Sequence, residues 1–150
     1  MKYMGSKNRI SKHLKPIIES YLVDKEVYIE PFVGGANMID KINFDNKIGS
    51  DLNEYVIELL KLAQNNIELI PDEITEEEYN KVKNDKDSFD RDKFINFLLE
   101  LDESNVILVS EYEMPEDNFT KIWEKEVKVS ISQTKKATEK LFILDKNKNK

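Results

Sequence analysis

The chain has 150 residues, a formal net charge of −7 and no cysteine. This length fits one domain with a core of its own. The lack of cysteine excludes disulfides, thiol catalysis and zinc–thiolate clusters, and we expect no metal site. No apolar run is long enough to span a membrane, and the charged N-terminal segment does not fit a signal peptide. We therefore predict a cytoplasmic protein.

The charge is unevenly distributed. Residues 1–15 carry five basic side chains and no acid, and residues 121–150 carry nine basic and four acidic side chains, so the middle of the chain is strongly acidic. This asymmetry does not by itself form a DNA-binding surface. We interpret residues 145–150 as a solvated basic tail after a single domain of residues 1–144.

In the first half, hydrophobic periodicity predicts alternating helices and strands. Helices are expected at Ile10–Val23, Gly35–Ile42 and Glu54–Gln64, and strands at Val27–Glu30 and Lys47–Ser50. The inward positions of the third helix are predicted to be Val56, Leu59, Leu60 and Ala63.

A capping box at Thr75–Glu78 predicts a further helix to about Asn84, followed by a loop to Asp92. Beyond it we expect helices at Phe94–Leu101 and Glu116–Trp123, a buried strand of parallel-sheet type at Val106–Ser110, and a hairpin of Val127–Ile131 with Glu139–Leu144. The predicted fold class is α/β, with an open sheet that ends in an antiparallel hairpin.

The most informative segment runs from Tyr28 to Asn37, and Gly49–Asn53 follows it. An apolar run ends in Glu30, a glycine turn follows, and a second short apolar run ends in Asp51. This order is typical of a nucleotide-binding βαβ unit, in which glycines let the backbone approach a ligand and a carboxylate holds ribose hydroxyls. Pro31 excludes the dinucleotide fingerprint, and no Gly-Lys-Ser/Thr loop is present, so NAD and ATP are disfavoured.

Several motifs taken together resemble the Dam-type DNA adenine-N6 methyltransferases, especially their phage branch. The first half contributes Lys2–Lys7, Glu30–Gly35 and Ser50–Asn53. The second half contributes Val109–Asp117 and Lys135–Phe142. The resemblance covers nearly all of residues 1–80 and 91–144, and it implies a Rossmann-like class I methyltransferase sheet.

The resemblance further implies a site for S-adenosylmethionine. The positions matching Tyr3 and Lys7 lie on the methionine side of the cofactor, the turn that starts at Glu30 wraps around it, and Asp51 recognises the adenosine. An ammonium can pair with the cofactor's carboxylate, and an aspartate at a strand end can accept from hydroxyls or an exocyclic amine. The implied cofactor-binding residues are Tyr3, Lys7, Glu30, Phe32, Gly34, Gly35 and Asp51.

The chain departs from the family at the catalytic motif. Competent members carry an Asp/Asn/Ser-Pro-Pro-aromatic motif that accepts the amino hydrogens of a flipped adenine and stacks on its ring. No two prolines are adjacent here, so we assign no catalytic residue. By resemblance, the target-recognition domain and two strands are replaced by a short segment that includes Asn84–Asp92. The chain therefore resembles a truncated methyltransferase.

Four functions follow from these observations. The first is a protein that binds S-adenosylmethionine and has lost or severely impaired methyl transfer. The second keeps adenine methylation with Ser110, Glu111 and Tyr112 as a substitute pocket, although the family has a similar segment there. The third acts on S-adenosylmethionine or a derived nucleotide with Glu111 or Glu113 as base. The fourth is a non-enzymatic interaction module that self-associates through a disrupted sheet edge. DNA contact would be weak and limited to the N-terminal basic residues.

Overall fold

The computed structural model describes residues 6–70, 90–101, 104–128 and 136–147. The chain divides into two compact units, an N-terminal unit of Met1–Phe89 and a C-terminal unit of Asp90–Lys150. Helices and strands are mixed, as predicted, while the Rossmann-like arrangement and the single domain of residues 1–144 stay predictions. The capping box at Thr75–Glu78 and the helix after it lie outside the described residues. Within the described ranges, no helix has the length and apolar character needed to cross a bilayer.

The N-terminal unit contains two helices and a two-stranded parallel sheet. A short 3₁₀ helix, Lys7–Arg9, precedes helix α1, and another, Ile67–Leu69, follows helix α2. The main elements are α1 (Ser11–Ser20), strand β1 (Tyr28–Glu30), strand β2 (Lys47–Gly49) and α2 (Glu54–Asn65). These bounds confirm the predicted kinds of element for α1, β1, β2 and α2.

Helix α2 begins where the sequence provides a cap. The Asn53 side chain accepts hydrogen bonds from the N–H groups of Tyr55 and Val56 in the first turn of the helix, and the Val56 N–H also donates to the Asn53 carbonyl. Val56 is buried, and Leu59 and Leu60 are half-buried, as expected. The inward position predicted for Ala63 is wrong, because the last turn of α2 is exposed to solvent.

The short helix predicted at Gly35–Ile42 is also wrong, because this segment consists of turns. Ala36 has a φ of 56°, which is left-handed and cannot start a right-handed helix. Lysine side chains then donate to four carbonyl groups of this segment. Lys41 Nζ donates to the Asn37 carbonyl, Lys15 Nζ to the Lys41 carbonyl, and Lys47 Nζ to the carbonyls of residues 39 and 42.

The C-terminal unit packs one helix on an antiparallel sheet. Its elements are α3 (Arg91–Glu100), β3 (Leu108–Glu111), β4 (Phe119–Lys128) and β5 (Lys136–Leu144), and the strand order is β3-β5-β4. The helix and sheet share one apolar core, onto which Phe94, Ile95 and Leu101 pack. The buried core residues are Leu98, Ile107, Val109, Met114, Phe119, Phe142 and Leu144.

Pairing of β4 with β5 confirms the antiparallel hairpin, but the predicted bounds of its first strand are wrong, because β4 begins at Phe119 instead of Val127. Residues 129–131 of that prediction lie outside the described residues. Three other expectations for this unit are wrong, namely the end of the loop before α3, the helix at Glu116–Trp123 and the parallel type of the strand at Val106–Ser110. The predicted boundary at Asp92 is wrong, because α3 begins at Arg91 and Asp90 caps it by accepting from the Lys93 N–H, while residues 84–89 of the predicted loop lie outside the described residues. Residues 116–118 form a turn rather than a helix, and β4 follows at once.

Strand β3 pairs antiparallel with β5, whereas a parallel strand was predicted at Val106–Ser110. Ile107 and Val109 are buried, and Leu108 and Ser110 between them are half-buried. The second face of β3 is therefore partly buried as well, and this explains why the strand is continuously apolar although it pairs antiparallel.

Candidate functional site

The two parallel strands of the N-terminal unit end at the same edge. Strands β1 and β2 pair in register, with Ile29 opposite Ile48 and Glu30 opposite Gly49. Glu30 therefore ends β1, and Asp51 follows the end of β2 at the same edge. Both carboxylates thus lie at the carboxyl ends of adjacent parallel strands, as in the βαβ unit that the sequence indicates, and open α/β sheets bind ligands at this edge.

The glycine turn is attached to the segment after β2 by a short series of hydrogen bonds. Ser50 N donates to the Glu30 carbonyl at 3.0 Å, and Val33 N donates to the Ser50 carbonyl at 2.9 Å. Gly34 N then donates to Asp51 Oδ2 at 2.9 Å. An aspartate side chain thus takes the place of the next backbone acceptor, which brings Gly34 and Asp51 together.

The turn has the conformation for which its glycine is suited. Gly34 is buried and has a φ of 47°, in the left-handed region where a Cβ atom is unfavourable. Ala36 also lies in this region, and its N–H donates to the Val33 carbonyl at 2.8 Å. A non-glycine residue in this region is held there by its surroundings at a cost of about 1–3 kcal/mol.

Asp51 is half-buried, and each of its carboxylate oxygens receives one backbone hydrogen bond. Oδ2 accepts from Gly34, and Oδ1 accepts from the Asn53 N–H at 3.0 Å. A carboxylate has about four acceptor positions, so about two are left open by the described residues. Two open positions on one fixed carboxylate can accept two hydroxyl groups or one amino group.

Glu30 has a different environment from Asp51. Burial raises the pKa of its carboxyl from 4.5 to about 7, although the Ile39 N–H and the Tyr28 hydroxyl lower it in part. Among the described residues, Glu30 Oε2 is buried without a hydrogen-bond partner. Burial and the nearby Glu30 charge also raise the pKa of Tyr28. The protonated carboxyl is therefore well populated near neutral pH.

The face of the sheet that carries Glu30 packs closely on the turn segment. A Cβ atom on Gly49 would lie 2.9 Å from Val33 Cγ2 and 3.2 Å from Ile39 Cδ1, so only glycine fits there without a shift. Lys47 Nζ donates to the Ile39 carbonyl at 2.9 Å and to the Ile42 carbonyl at 3.0 Å. Residue 39 is therefore contacted on its N–H side by Glu30 and on its carbonyl side by Lys47.

The remaining predicted site residues are placed less specifically. Phe32 is 46% exposed and Gly35 is half-buried, both within the turn. Lys7 is half-buried in the 3₁₀ helix before α1. Tyr3 lies outside the described residues. The structure thus brings Glu30, Gly34 and Asp51 to one edge, and cofactor binding by the full set stays a prediction.

The second-half candidates lie at the end of β3, in the C-terminal unit. Glu111, Tyr112 and Glu113 are exposed, which is the position of ordinary surface side chains. Ser110 Oγ is buried and has no hydrogen-bond partner among the described residues.

Sequence reasoning missed three residues that shape the site. Tyr28 lies beside Glu30, and the alternation of strand side chains could have placed both on one face. Asn53 carries an N-cap signal, since it directly precedes a helical pattern. Lys47 had no signal, because its contacts depend on the turns of residues 36–42.

Comparison with known proteins identifies one family. The family model of the D12 class N6 adenine-specific DNA methyltransferases matches residues 3–150, which is nearly the whole chain. No curated protein and no solved structure matches.

Proposed function

Because the chain belongs to the D12 class N6 adenine-specific DNA methyltransferase family, we propose that it binds S-adenosylmethionine or S-adenosylhomocysteine at the edge formed by Glu30, Gly34 and Asp51. The observation that carries the proposal is the hydrogen bond from Gly34 N to Asp51 Oδ2 at 2.9 Å. It joins the glycine turn and the carboxylate, the two parts of a nucleoside site that the sequence places 17 residues apart.

The chemistry of these groups supports a nucleoside ligand. The open acceptor positions of Asp51 suit ribose hydroxyls or an exocyclic amine. The exposed Phe32 ring offers an apolar surface beside the turn. Lys7 and Tyr3 would bind the methionine part, the ammonium pairing with the cofactor carboxylate.

We further propose that methyl transfer to DNA is lost or severely impaired. The family positions a flipped adenine with an Asp/Asn/Ser-Pro-Pro-aromatic motif, and none of Pro16, Pro31, Pro71 and Pro115 adjoins another proline. The net charge of −7 also opposes binding to phosphates. The cofactor part of the family site is represented in this chain, whereas the base pocket is not.

Isothermal titration with S-adenosylhomocysteine tests the cofactor site. Asp51→Ala removes hydrogen bonds worth about 1.5–3 kcal/mol, so we expect at least a roughly tenfold weaker affinity. Asp40→Ala is the matched control, because Asp40 is an exposed acid of the same unit and its removal changes the charge equally. Equal affinities of wild type and Asp51→Ala, or no binding by wild type, would refute the proposal.

A methyl-transfer assay tests the second part. We expect no labelled methyl groups on adenine-containing duplex DNA after incubation with wild type and labelled S-adenosylmethionine. Transfer that Asp51→Ala abolishes would instead show that the chain keeps its family's activity. Chromatography of the same mixtures detects breakdown of the cofactor itself, which would favour an enzyme acting on S-adenosylmethionine.

A further inference from the structure

Asp51 has two hydrogen-bond partners within the chain itself. Its Oδ2 accepts from Gly34 N at 2.9 Å and its Oδ1 from Asn53 N at 3.0 Å. A residue whose only role was to contact a ligand would have no need of these bonds. Both partners are backbone groups of segments that border the candidate site.

The bond to Gly34 fixes a conformation that the chain does not otherwise favour. Gly34 lies at φ 47° and Ala36 at φ 56°, and glycine in particular has many alternative conformations. The hydrogen bonds from Ser50 and Val33 fix the chain up to residue 33, and the Ala36 N–H closes the turn onto the Val33 carbonyl at 2.8 Å. Gly34 N is the next donor, and Asp51 supplies its acceptor.

The bond to Asn53 fixes the carboxylate in turn. Asn53 caps α2 through the N–H groups of Tyr55 and Val56, so the residue whose N–H donates to Asp51 Oδ1 is anchored to a helix. The carboxylate therefore connects the glycine turn with the first turn of α2.

We infer that Asp51 is a positioning residue, which holds the glycine turn in its ligand-ready conformation before any ligand binds. Its consequence for affinity rests on the proposed function, whereas the positioning itself does not. About one acceptor position stays open on each carboxylate oxygen, so a ligand's hydroxyl groups can bind without displacing Gly34. Preorganisation of this kind raises affinity by reducing the ordering cost of binding.

Amide hydrogen exchange measured by NMR on the free chain tests the inference. We expect the Gly34 N–H to exchange about tenfold or more faster in Asp51→Ala than in wild type. The Val33 N–H is the internal control, because its acceptor is the Ser50 carbonyl and not Asp51. Asp51→Asn should give an intermediate rate, since one amide oxygen replaces two carboxylate oxygens. Equal Gly34 exchange in all three proteins would overturn the inference.

A second measurement keeps the inference testable if Asp51→Ala does not fold. In Asp51→Asn, which keeps one side-chain oxygen, the Gly34 N–H or the Asn53 N–H should exchange faster than in wild type, while the Val33 N–H exchanges equally. Wild-type exchange at both Gly34 and Asn53 in Asp51→Asn would overturn the inference. If Gly34 is protected but S-adenosylhomocysteine does not bind, the proposed function fails and the positioning role of Asp51 stands.

Discussion

Each unit of the chain contains a backbone N–H that is satisfied by a side chain instead of a carbonyl group. In the N-terminal unit, Gly34 donates to the Asp51 carboxylate, which is half-buried. In the C-terminal unit, Ile107 donates to Asn147 Oδ1 at 3.1 Å, and Asn147 is 0% exposed. The two acceptors differ in charge and in access to solvent.

This difference separates a structural contact from one suited to a ligand. A neutral amide can be buried when its groups are paired, and Asn147 Nδ2 donates to the Asn105 carbonyl at 2.6 Å. A buried carboxylate costs far more unless it is paired or fully hydrogen-bonded, so a carboxylate with open acceptor positions is favoured where water or a ligand can reach it. Asp51 meets this condition and keeps open acceptor positions.

The two sheets also differ in how far their strands are exposed to solvent. Ile143 of β5 is 0% exposed, and the C-terminal sheet packs on α3 through an apolar core. In the N-terminal sheet, Ile29 and Ile48 are each 51% exposed, and each strand has three residues. Hydrogen bonds from Lys47 and to Asp51 therefore carry more of the local order around the candidate site.

The largest expected effect comes from Asn147→Ala. It leaves the Ile107 N–H without its acceptor and the Asn105 carbonyl without its Nδ2 donor. An unpaired buried group costs about 1–3 kcal/mol, so we expect the free energy of unfolding to fall by about 2–4 kcal/mol. Urea denaturation followed by Trp123 fluorescence measures this, because Trp123 lies in β4 of the same unit.

Asn96→Ala is the matched control for this prediction. Asn96 is exposed on α3 of the same unit, so the Trp123 signal reports the stability of both variants. A substitution at an exposed position of this kind changes the free energy of unfolding by no more than about 0.5 kcal/mol. A similar loss in both variants would show that burial does not separate the two asparagines.

How much of the fold was predictable from sequence depends on how regular each pattern is. The terminal hairpin was predicted because Glu139–Leu144 is strongly apolar, and β5 indeed carries four consecutive buried residues. The helix predicted at Glu116–Trp123 failed for a local reason. The pairing of β4 with β5 is irregular between Lys121 and Trp123, which interrupts the alternation of a strand. As a result, the apolar residues Phe119, Ile122 and Trp123 are spaced as i, i+3 and i+4, which is the spacing of a helix.

The candidate site was predictable in outline but not in its contacts. The glycine turn and the two acidic strand ends follow from residue types and spacing, and both are found as expected. The hydrogen bond between Gly34 and Asp51 depends on backbone angles that residue types do not determine. The contacts of Lys47 depend in the same way on the turns of residues 36–42.

Gly49→Ala is expected to have the next largest effect, in the N-terminal unit. The new methyl group would lie 2.9 Å from Val33 Cγ2 and 3.2 Å from Ile39 Cδ1, so the turn segment must shift. Overpacking of this kind costs about 1–3 kcal/mol. The backbone amide signals of residues 33–39 should move in NMR spectra, and those of β5 should not.

A smaller side chain at position 33, in Val33→Ala, tests whether the contact with Val33 causes this effect. If the contact with Val33 is responsible, the double variant Gly49→Ala with Val33→Ala loses less stability than the sum of the two single variants. Additive losses would mean that the new methyl group acts by another route.

The smallest expected effect is the pH dependence contributed by Glu30. Its pKa is raised by burial from 4.5 to about 7, so the folded chain binds the proton more tightly than the unfolded chain. The stabilisation is fully present below pH 4.5 and is lost as the pH rises through about 7. The full shift corresponds to about 3 kcal/mol, and partial exposure to solvent reduces this to about 1–2 kcal/mol.

Urea denaturation followed by the amide signals of the N-terminal unit measures this contribution. The free energy of unfolding should decrease more from pH 5 to pH 8 in wild type than in Glu30→Gln. Glu26→Gln, at an exposed position of the same unit, should keep the wild-type decrease. An equal decrease in wild type and Glu30→Gln would show that burial does not hold the Glu30 carboxyl protonated at the end of β1.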